Sequence, residues 1–174
     1  MESASSVAER TKTLTLPDDD FVILTQTFTG GDGTKGDPVI LTINTSYVGF
    51  EHRDVFQWVL QLEVFVRKEE GGGPPTNKEA AVLNDMEDAI REAISPKDQK
   101  PNAVFVLRET DRDLRTVVFA VYDPEVANGA LQKMLEEKHF DLPWQFRMEA
   151  DQHWKTLDPY FKKYIEALQG GYLH

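Results

Sequence analysis

The sequence predicts an α+β fold, specifically a ferredoxin-like βαββαβ sandwich with an N-terminal β-hairpin extension and a C-terminal helix. Between Val55 and Glu149 the hydrophobic pattern switches between the period of about two residues typical of strands and the period of about 3.6 residues typical of helices. The resulting order is strand, helix, strand, strand, helix, strand. Both predicted helices also begin at a recognisable capping signal. This pattern predicts a fold but no catalytic or binding activity.

The first strand and helix of this unit have the clearest signals. Gln57 to Arg67 alternates between apolar and polar residues, which predicts a strand with one face toward a core. Thr76 and Glu79 stand at the spacing of a capping box, in which each residue bonds a backbone amide of the other. Apolar residues then follow at helical spacing as far as Pro96, so this helix should cover the sheet.

The second half repeats this order with a hairpin in front. Ala103 to Leu107 and Thr116 to Tyr122 are β-branched and aromatic runs, which predict two paired strands. The charged segment Arg108 to Arg115 between them is predicted to be an exposed loop. Asp123 before Pro124 indicates a helix start. The aspartate side chain can accept hydrogen bonds from the unpaired backbone amides of the first turn, and proline has no backbone amide that would need a partner there. Trp144, Phe146 and Met148 alternate with polar residues in the last strand.

Two extensions and a tail flank this unit. Phe21 to Thr29 and Pro38 to Phe50 are β-rich runs joined by Gly30 to Gly33, which predicts a hairpin that lengthens the sheet. Residues 1–20 are polar and aperiodic and are expected to form a flexible N-terminal tail. Residues 21–174 are expected to form a single α+β domain.

The C-terminal segment predicts an amphipathic helix that Asp151 opens. Pro159 lies inside its apolar pattern, so the helix should kink there or restart with Asp158 as a new cap.

Composition excludes several classes of chemistry. The chain has no cysteine, which excludes disulfides, thiolate catalysis and cysteine metal sites and fits a cytoplasmic location. No signal peptide or membrane-spanning run is recognisable. Thirty acidic and nineteen basic residues give a net charge of −11, which repels nucleic acid and anionic membranes. A basic protein partner is compatible with this charge, and a merely solvated surface is the competing interpretation.

Groups that could form a metal or catalytic site lack the necessary pattern. No serine lies in a Gly-x-Ser-x-Gly turn, and the four histidines have no spacing that assigns a nucleophile to them. Asp151, His153 and His139 are further metal candidates, but a transition metal normally needs three or four convergent ligands. We therefore predict no catalytic residue, no metal site and no cofactor. The acidic residues of the first helix are predicted to form a solvated face, and they are Asp85, Glu87, Asp88 and Glu92.

The C-terminal aromatic region contains the binding residues that we predict. Its aromatic side chains could line a pocket or a protein-binding groove, although aromatic residues at helical spacing more often form a core. Polar residues beside them keep the binding hypothesis open. The predicted binding set is Asp151, His153, Trp154, Asp158 and Tyr160.

Four features of the sequence occur together: the order of elements, the run Gly36 to Asn44, the strand Arg115 to Tyr122, and the C-terminal stretch around Asp151 and Trp154. In these features the chain resembles an uncharacterised bacterial family, a domain of unknown function often grouped with the regulator of ribonuclease E activity B. The family's usual ending is Asp-x-x-Trp-x-x-Tyr, whereas Leu157 stands here at the tyrosine position unless Tyr160 serves instead. The family has no established enzymatic activity that the resemblance could carry over, and the regulator itself is acidic, ferredoxin-like and acts by binding a protein.

Two functions follow as expectations. The favoured one is a noncatalytic regulatory or protein-interaction domain that binds a basic partner, with a ribonuclease or another RNA-turnover protein as the partner that the resemblance suggests. The alternative is a small-molecule-binding protein or enzyme with a site near the C-terminal aromatic region, where Asp151 or His153 would act as acid or base.

Overall fold

A computed structural model of the protein describes residues 14–29, 34–66 and 74–170. These residues form a six-stranded antiparallel sheet with three α-helices, which confirms the predicted α+β fold. The strands are β1 (Phe21–Thr29), β2 (Lys35–Asn44), β3 (Trp58–Phe65), β4 (Ala103–Asp111), β5 (Leu114–Val121) and β6 (Trp144–Ala150), and the helices are α1 (Asn77–Ile94), α2 (Pro124–Glu136) and α3 (Asp158–Gln169).

The strands lie in the order β1-β2-β4-β5-β3-β6, and every neighbouring pair is antiparallel. β1 pairs with β2 from Phe21 opposite Asn44 to Thr29 opposite Lys35, as the predicted N-terminal hairpin requires. The connection through Gly30 to Gly33 lies outside the described residues. Because β2 also pairs with β4, the hairpin extends the sheet beyond the β3 to β6 unit.

Helices α1 and α2 begin as their capping signals predict. The Thr76 side chain accepts the Glu79 amide while the Glu79 carboxylate accepts the Thr76 amide, and Asp123 accepts the amides of Glu125 and Val126. Both helices place their apolar stripe on one face of the sheet. The core on that face includes Leu60, Leu62, Ile90, Ile94, Phe105, Phe119, Val121 and Leu131.

The opposite face of the sheet carries a second core. Two short 3-10 helices, Thr45–Tyr47 and Arg53–Val55, and helix α3 cover the strands there. Strand residues alternate between the two faces, so neighbours such as Val118 and Phe119 belong to different cores. The buried residues of this second core include Leu41, Ile43, Phe56, Val118, Ala120, Trp154, Leu157 and Phe161.

The predicted loop from Arg108 to Arg115 is wrong, because both strands continue through it and turn at Arg112 and Asp113. Arg115 is buried: its Nε donates to Thr110 Oγ1 at 3.2 Å and its Nη1 to Asn84 Oδ1 at 2.8 Å. Burial, reinforced by nearby Arg108, lowers the pKa of Arg115 to about 10. The sheet can therefore include a buried arginine here, because Thr110 of β4 and Asn84 of α1 accept its hydrogen bonds.

Two boundaries also differ from prediction. Strand β2 ends at Asn44 rather than continuing to Phe50, because the fully buried Asn44 side chain accepts the amides of Asp20 and Ser46. Asp151 opens no helix: residues 151–157 form turns, and α3 begins after Leu157. Asp158 then lies in the first turn of α3 rather than at its cap.

Candidate functional site

Three of the predicted binding residues meet at Arg53, which the sequence did not single out. The Arg53 guanidinium lies 5.4 Å from the centre of the Trp154 ring and 5.3 Å from that of Phe161. Its Nη1 is 3.3 Å from Asp158 Oδ1 and 3.4 Å from the carbonyl oxygen of His153. One cation therefore joins the turn before α3 to the helix itself.

Trp154 belongs to the core of the molecule. Its side chain has no exposed surface, and its Nε1 donates to the Phe56 carbonyl at 2.8 Å. The ring stacks on Phe50 with centroids 5.9 Å apart and lies 6.2 Å from the ring of Tyr47. A ligand could reach this indole only if the neighbouring aromatic rings moved.

Asp151 organises the turn between β6 and α3. Its carboxylate accepts the Lys155 amide at 2.9 Å, the Thr156 amide at 2.8 Å and the Thr156 hydroxyl at 2.7 Å. Partial burial raises the pKa of Asp151, but these hydrogen bonds outweigh it and the pKa lies below its ordinary value. The ionised carboxylate is thus a structural anchor at neutral pH and a poor proton donor.

Tyr160 has a different environment in the first turn of α3. It is half-buried, and burial raises the pKa of its hydroxyl, with Glu109 adding to the rise and Arg147 opposing it. The Lys163 ammonium lies 5.4 Å from the ring centre. These neighbours lie on α3, β4 and β6, whereas Arg53 joins three of the other four predicted residues.

A cleft of about 720 Å³ opens beside Arg53. We call it the Arg53 cleft, and its lining is Gly49, Phe50, Glu51, His52, Arg53, Asp54, Gln152 and His153. Two imidazoles, one guanidinium and two carboxylates give it groups of both signs. Of the predicted binding residues, only His153 contributes to this wall.

No group of three or more potential metal-ligating side chains occurs among the described residues. On α1, Asp85, Asp88 and Glu92 are exposed, as predicted for a solvated face. Glu87 is instead buried, with its carboxylate 3.2 Å from Arg108 and 3.6 Å from Arg91. In the part of the chain that the structure describes, no helix is long and apolar enough to cross a membrane.

A second, smaller depression of about 240 Å³ lies between α1 and the segment after α2. Its apolar side chains come from both elements, and Val82 among them is 44% exposed. Asp85 and Asp141 supply carboxylates, and His139 stands edge-on to Phe140 at 4.9 Å. We call this depression the acidic hollow, and its lining is Val82, Asp85, Met86, His139, Phe140, Asp141 and Leu142.

Sequence reasoning did not find the acidic hollow. Asp85 and Asp141 are far apart in the chain, and each alone has the pattern of an ordinary exposed carboxylate. The available signal was the pair of apolar residues Phe140 and Leu142 in an otherwise polar connection.

The fold and these two depressions define a six-stranded α+β domain with one surface site of mixed charge and one that is acidic and partly apolar. Residues 33–161 match the Family of unknown function (DUF695), and the chain belongs to that family. A comparison with curated proteins finds no match. A comparison with solved structures finds none either. The family therefore supports the predicted uncharacterised domain and supplies no activity.

Proposed function

We propose that this protein is a noncatalytic interaction domain that binds a basic segment of another protein in the acidic hollow. The observation that carries the proposal is the position of Asp85 and Asp141 beside an apolar surface that includes the 44% exposed Val82. A lysine or arginine side chain has an apolar stem and a charged end, so it can contact that surface and pair with the carboxylates. The net charge of −11 would attract such a segment from a distance.

The contacts of the predicted C-terminal residues also favour a noncatalytic role with its binding site in the hollow. The Asp151 carboxylate accepts three hydrogen bonds within its own turn, and Trp154 is enclosed in the core. These residues therefore contribute to stability first. The net charge of −11 and the carboxylates of the acidic hollow weigh against direct contact with nucleic acid and favour a protein partner.

The finer parts of the proposal concern fold type, partner and location. The element order from β3 to β6, with strand order β4-β5-β3-β6, supports a ferredoxin-like unit. The resemblance to the group that includes the regulator of ribonuclease E activity B makes an RNA-turnover nuclease the first partner to test. A cysteine-free composition supports a location in the reducing cytoplasm.

A second candidate function rests on the Arg53 cleft. Its volume of about 720 Å³ and its His52, Arg53 and His153 side chains suit a small anionic molecule. A ligand there would meet Glu51 and Asp54 as well, which favours a molecule with both acidic and hydrogen-donating groups.

The test is to titrate the protein into a ribonuclease E cleavage assay at low and moderate salt, with affinity capture from the native cell in parallel. We expect association that weakens as salt rises, because salt screens exposed charges. The double variant Asp85→Lys and Asp141→Lys should weaken association by about ten-fold or more.

The matched control is the double variant Asp98→Lys and Glu149→Lys, which makes the same charge change at exposed positions outside the hollow. It should retain most of the association. Equal losses in the two double variants would reduce the effect to net charge and reject the hollow. No effect on the nuclease, no basic protein captured, and a specific metabolite bound at the Arg53 cleft would favour the second function.

A further inference from the structure

Among the described residues, the outer edge of β1 carries none of the charged side chains that usually protect an exposed strand. Among the described residues β1 pairs with β2 alone, so one side of its backbone faces away from the sheet. Its sequence, Phe-Val-Ile-Leu-Thr-Gln-Thr-Phe-Thr, contains no charged residue. β6 at the other end of the sheet carries the exposed charges of Arg147 and Glu149. Charges of that kind normally prevent edge strands from pairing with other chains.

The register of the hairpin identifies the free backbone groups of β1. The Thr45 amide donates to the Asp20 carbonyl at 2.7 Å, and Phe21 stands opposite Asn44. In an antiparallel pair the residues alternate between bonding across the ladder and pointing away from it. The amides and carbonyls of Phe21, Ile23 and Thr25 consequently point toward the open edge.

Apolar side chains accompany this free backbone. Phe21 is 46% exposed and Ile23 is 62% exposed, although their strand neighbours Val22 and Leu24 pack into the α3-side core. Phe21 and Ile23 lie on the α1 side of the sheet, where the Phe21 ring meets Phe105 edge-on at 5.7 Å. An added strand would cover these two side chains and pair the outward amides at once.

We propose that β1 pairs antiparallel with β1 of a second copy of this chain, which joins the two sheets about a two-fold axis. In that arrangement the outward groups of Phe21, Ile23 and Thr25 of each copy can meet the same set of the other. Each copy carries a charge of −11, so contact between two copies is opposed least along a strand that has no charge of its own, as β1 has none. Asp18, Asp19 and Asp20 directly precede β1, so they would lie near the partner strand and add to the repulsion between copies.

Two properties distinguish this dimer from the association proposed at the acidic hollow. One strand pair buries less surface than the roughly 1,200 to 2,000 Å² of a stable interface, so the dimer should depend on concentration in the micromolar range. Salt screens the repulsion between like-charged copies, so the dimer should tighten as salt rises. Binding of a basic segment at the hollow should weaken under the same change.

Sedimentation equilibrium at low and high micromolar concentration tests the dimer. We expect the parent chain to dimerise more strongly at higher salt, and Ile23→Lys to remain monomeric. Thr25→Pro should also weaken the dimer, because it removes an outward amide and leaves the ladder to β2 intact. The control Leu168→Lys charges another exposed apolar residue, which is 50% exposed on α3, and should dimerise like the parent.

The absence of cysteine allows a direct geometric test. Under a mild oxidant, Ile23→Cys should form a disulfide between copies, and Leu168→Cys should not. A parent chain that stays monomeric at every concentration and salt would overturn the proposal. So would an Ile23→Lys variant that dimerises like the parent. Neither result bears on the nuclease assay, so the two proposals can fail separately.

Discussion

At the residue scale, Trp154 combines deep burial with an unusual backbone. Its φ of +56° lies in the left-handed region, where Lys138 is the other non-glycine residue among those described. This conformation costs a side-chain-bearing residue about 1 to 2 kcal/mol. The buried ring and the bond from its Nε1 to the Phe56 carbonyl offset that cost.

Replacement of Trp154 by alanine should lower the free energy of unfolding by about 3 to 5 kcal/mol, because it removes a buried aromatic ring and leaves a cavity. Trp154→Phe should lower the free energy of unfolding by less, because it keeps a buried ring and loses only the hydrogen bond to the Phe56 carbonyl and part of the ring volume. Denaturant unfolding monitored by circular dichroism measures both variants. A Trp154→Ala protein that unfolds like the parent but no longer binds its partner would contradict a core role and support a functional one.

At the element scale, helix α1 depends on Glu87 to hold two arginines. The carboxylate is 7% exposed and lies between Arg108 of β4 and Arg91 of the same helix. Arg91 also lies 5.0 Å from the Phe105 ring centre, so the helix and the sheet meet through charged as well as apolar contacts.

Glu87→Gln should therefore destabilise the protein by about 2 to 3 kcal/mol, because it removes the carboxylate that pairs with Arg108 and leaves Arg91 with Asp19 alone, at 3.7 Å. Thermal and denaturant unfolding give the value. Asp88→Asn on the exposed side of the same helix is the control and should change stability by less than about 0.5 kcal/mol. Equal effects of the two substitutions would show that the buried pairing contributes nothing.

The elements that the sequence predicted well are those whose signals are local. The capping box at Thr76 and the Asp123 cap act within a few residues, so both helix starts could be predicted. The length of the β4–β5 hairpin could not, because the burial of Arg115 depends on Asn84 from a distant helix. Asp151 resembled a helix cap because it does accept nearby amides, but those amides belong to a turn.

The candidate sites were predictable to a smaller extent. His153, Trp154 and Asp158 are close in sequence, and the structure keeps them close. Their common partner Arg53 lies in the 3-10 helix before β3, 100 residues before His153, and no spacing rule connects it with them. The acidic hollow could not be predicted for the same reason, since Asp85 and Asp141 come together only when α1 packs against the segment that follows α2.

At the scale of the whole molecule, the charge predicts weak contact with polyanions. The purified protein should bind neither duplex DNA nor single-stranded RNA at physiological salt, because a net charge of −11 repels the phosphate backbone. Fluorescence anisotropy measures this. The melting transition of the protein should also be unchanged by a chelator, since no group of three or more potential metal-ligating side chains occurs among the described residues. Micromolar nucleic-acid binding that weakens with salt, or unfolding in the chelator, would contradict these expectations.

The pairing of β1 along β2 also determines which fragment of this chain can be produced as a stable protein. The family match begins at residue 33, whereas the sheet begins at Phe21. A fragment cut at the family boundaries would expose β2 as a new edge, remove Leu24 from the core, and deprive Asn44 of its contacts with Asp19 and Asp20. It would also end within α3, after Phe161. Expression trials that follow sequence similarity alone should therefore give aggregated material, and useful fragments must begin before Asp18 and extend through Gln169.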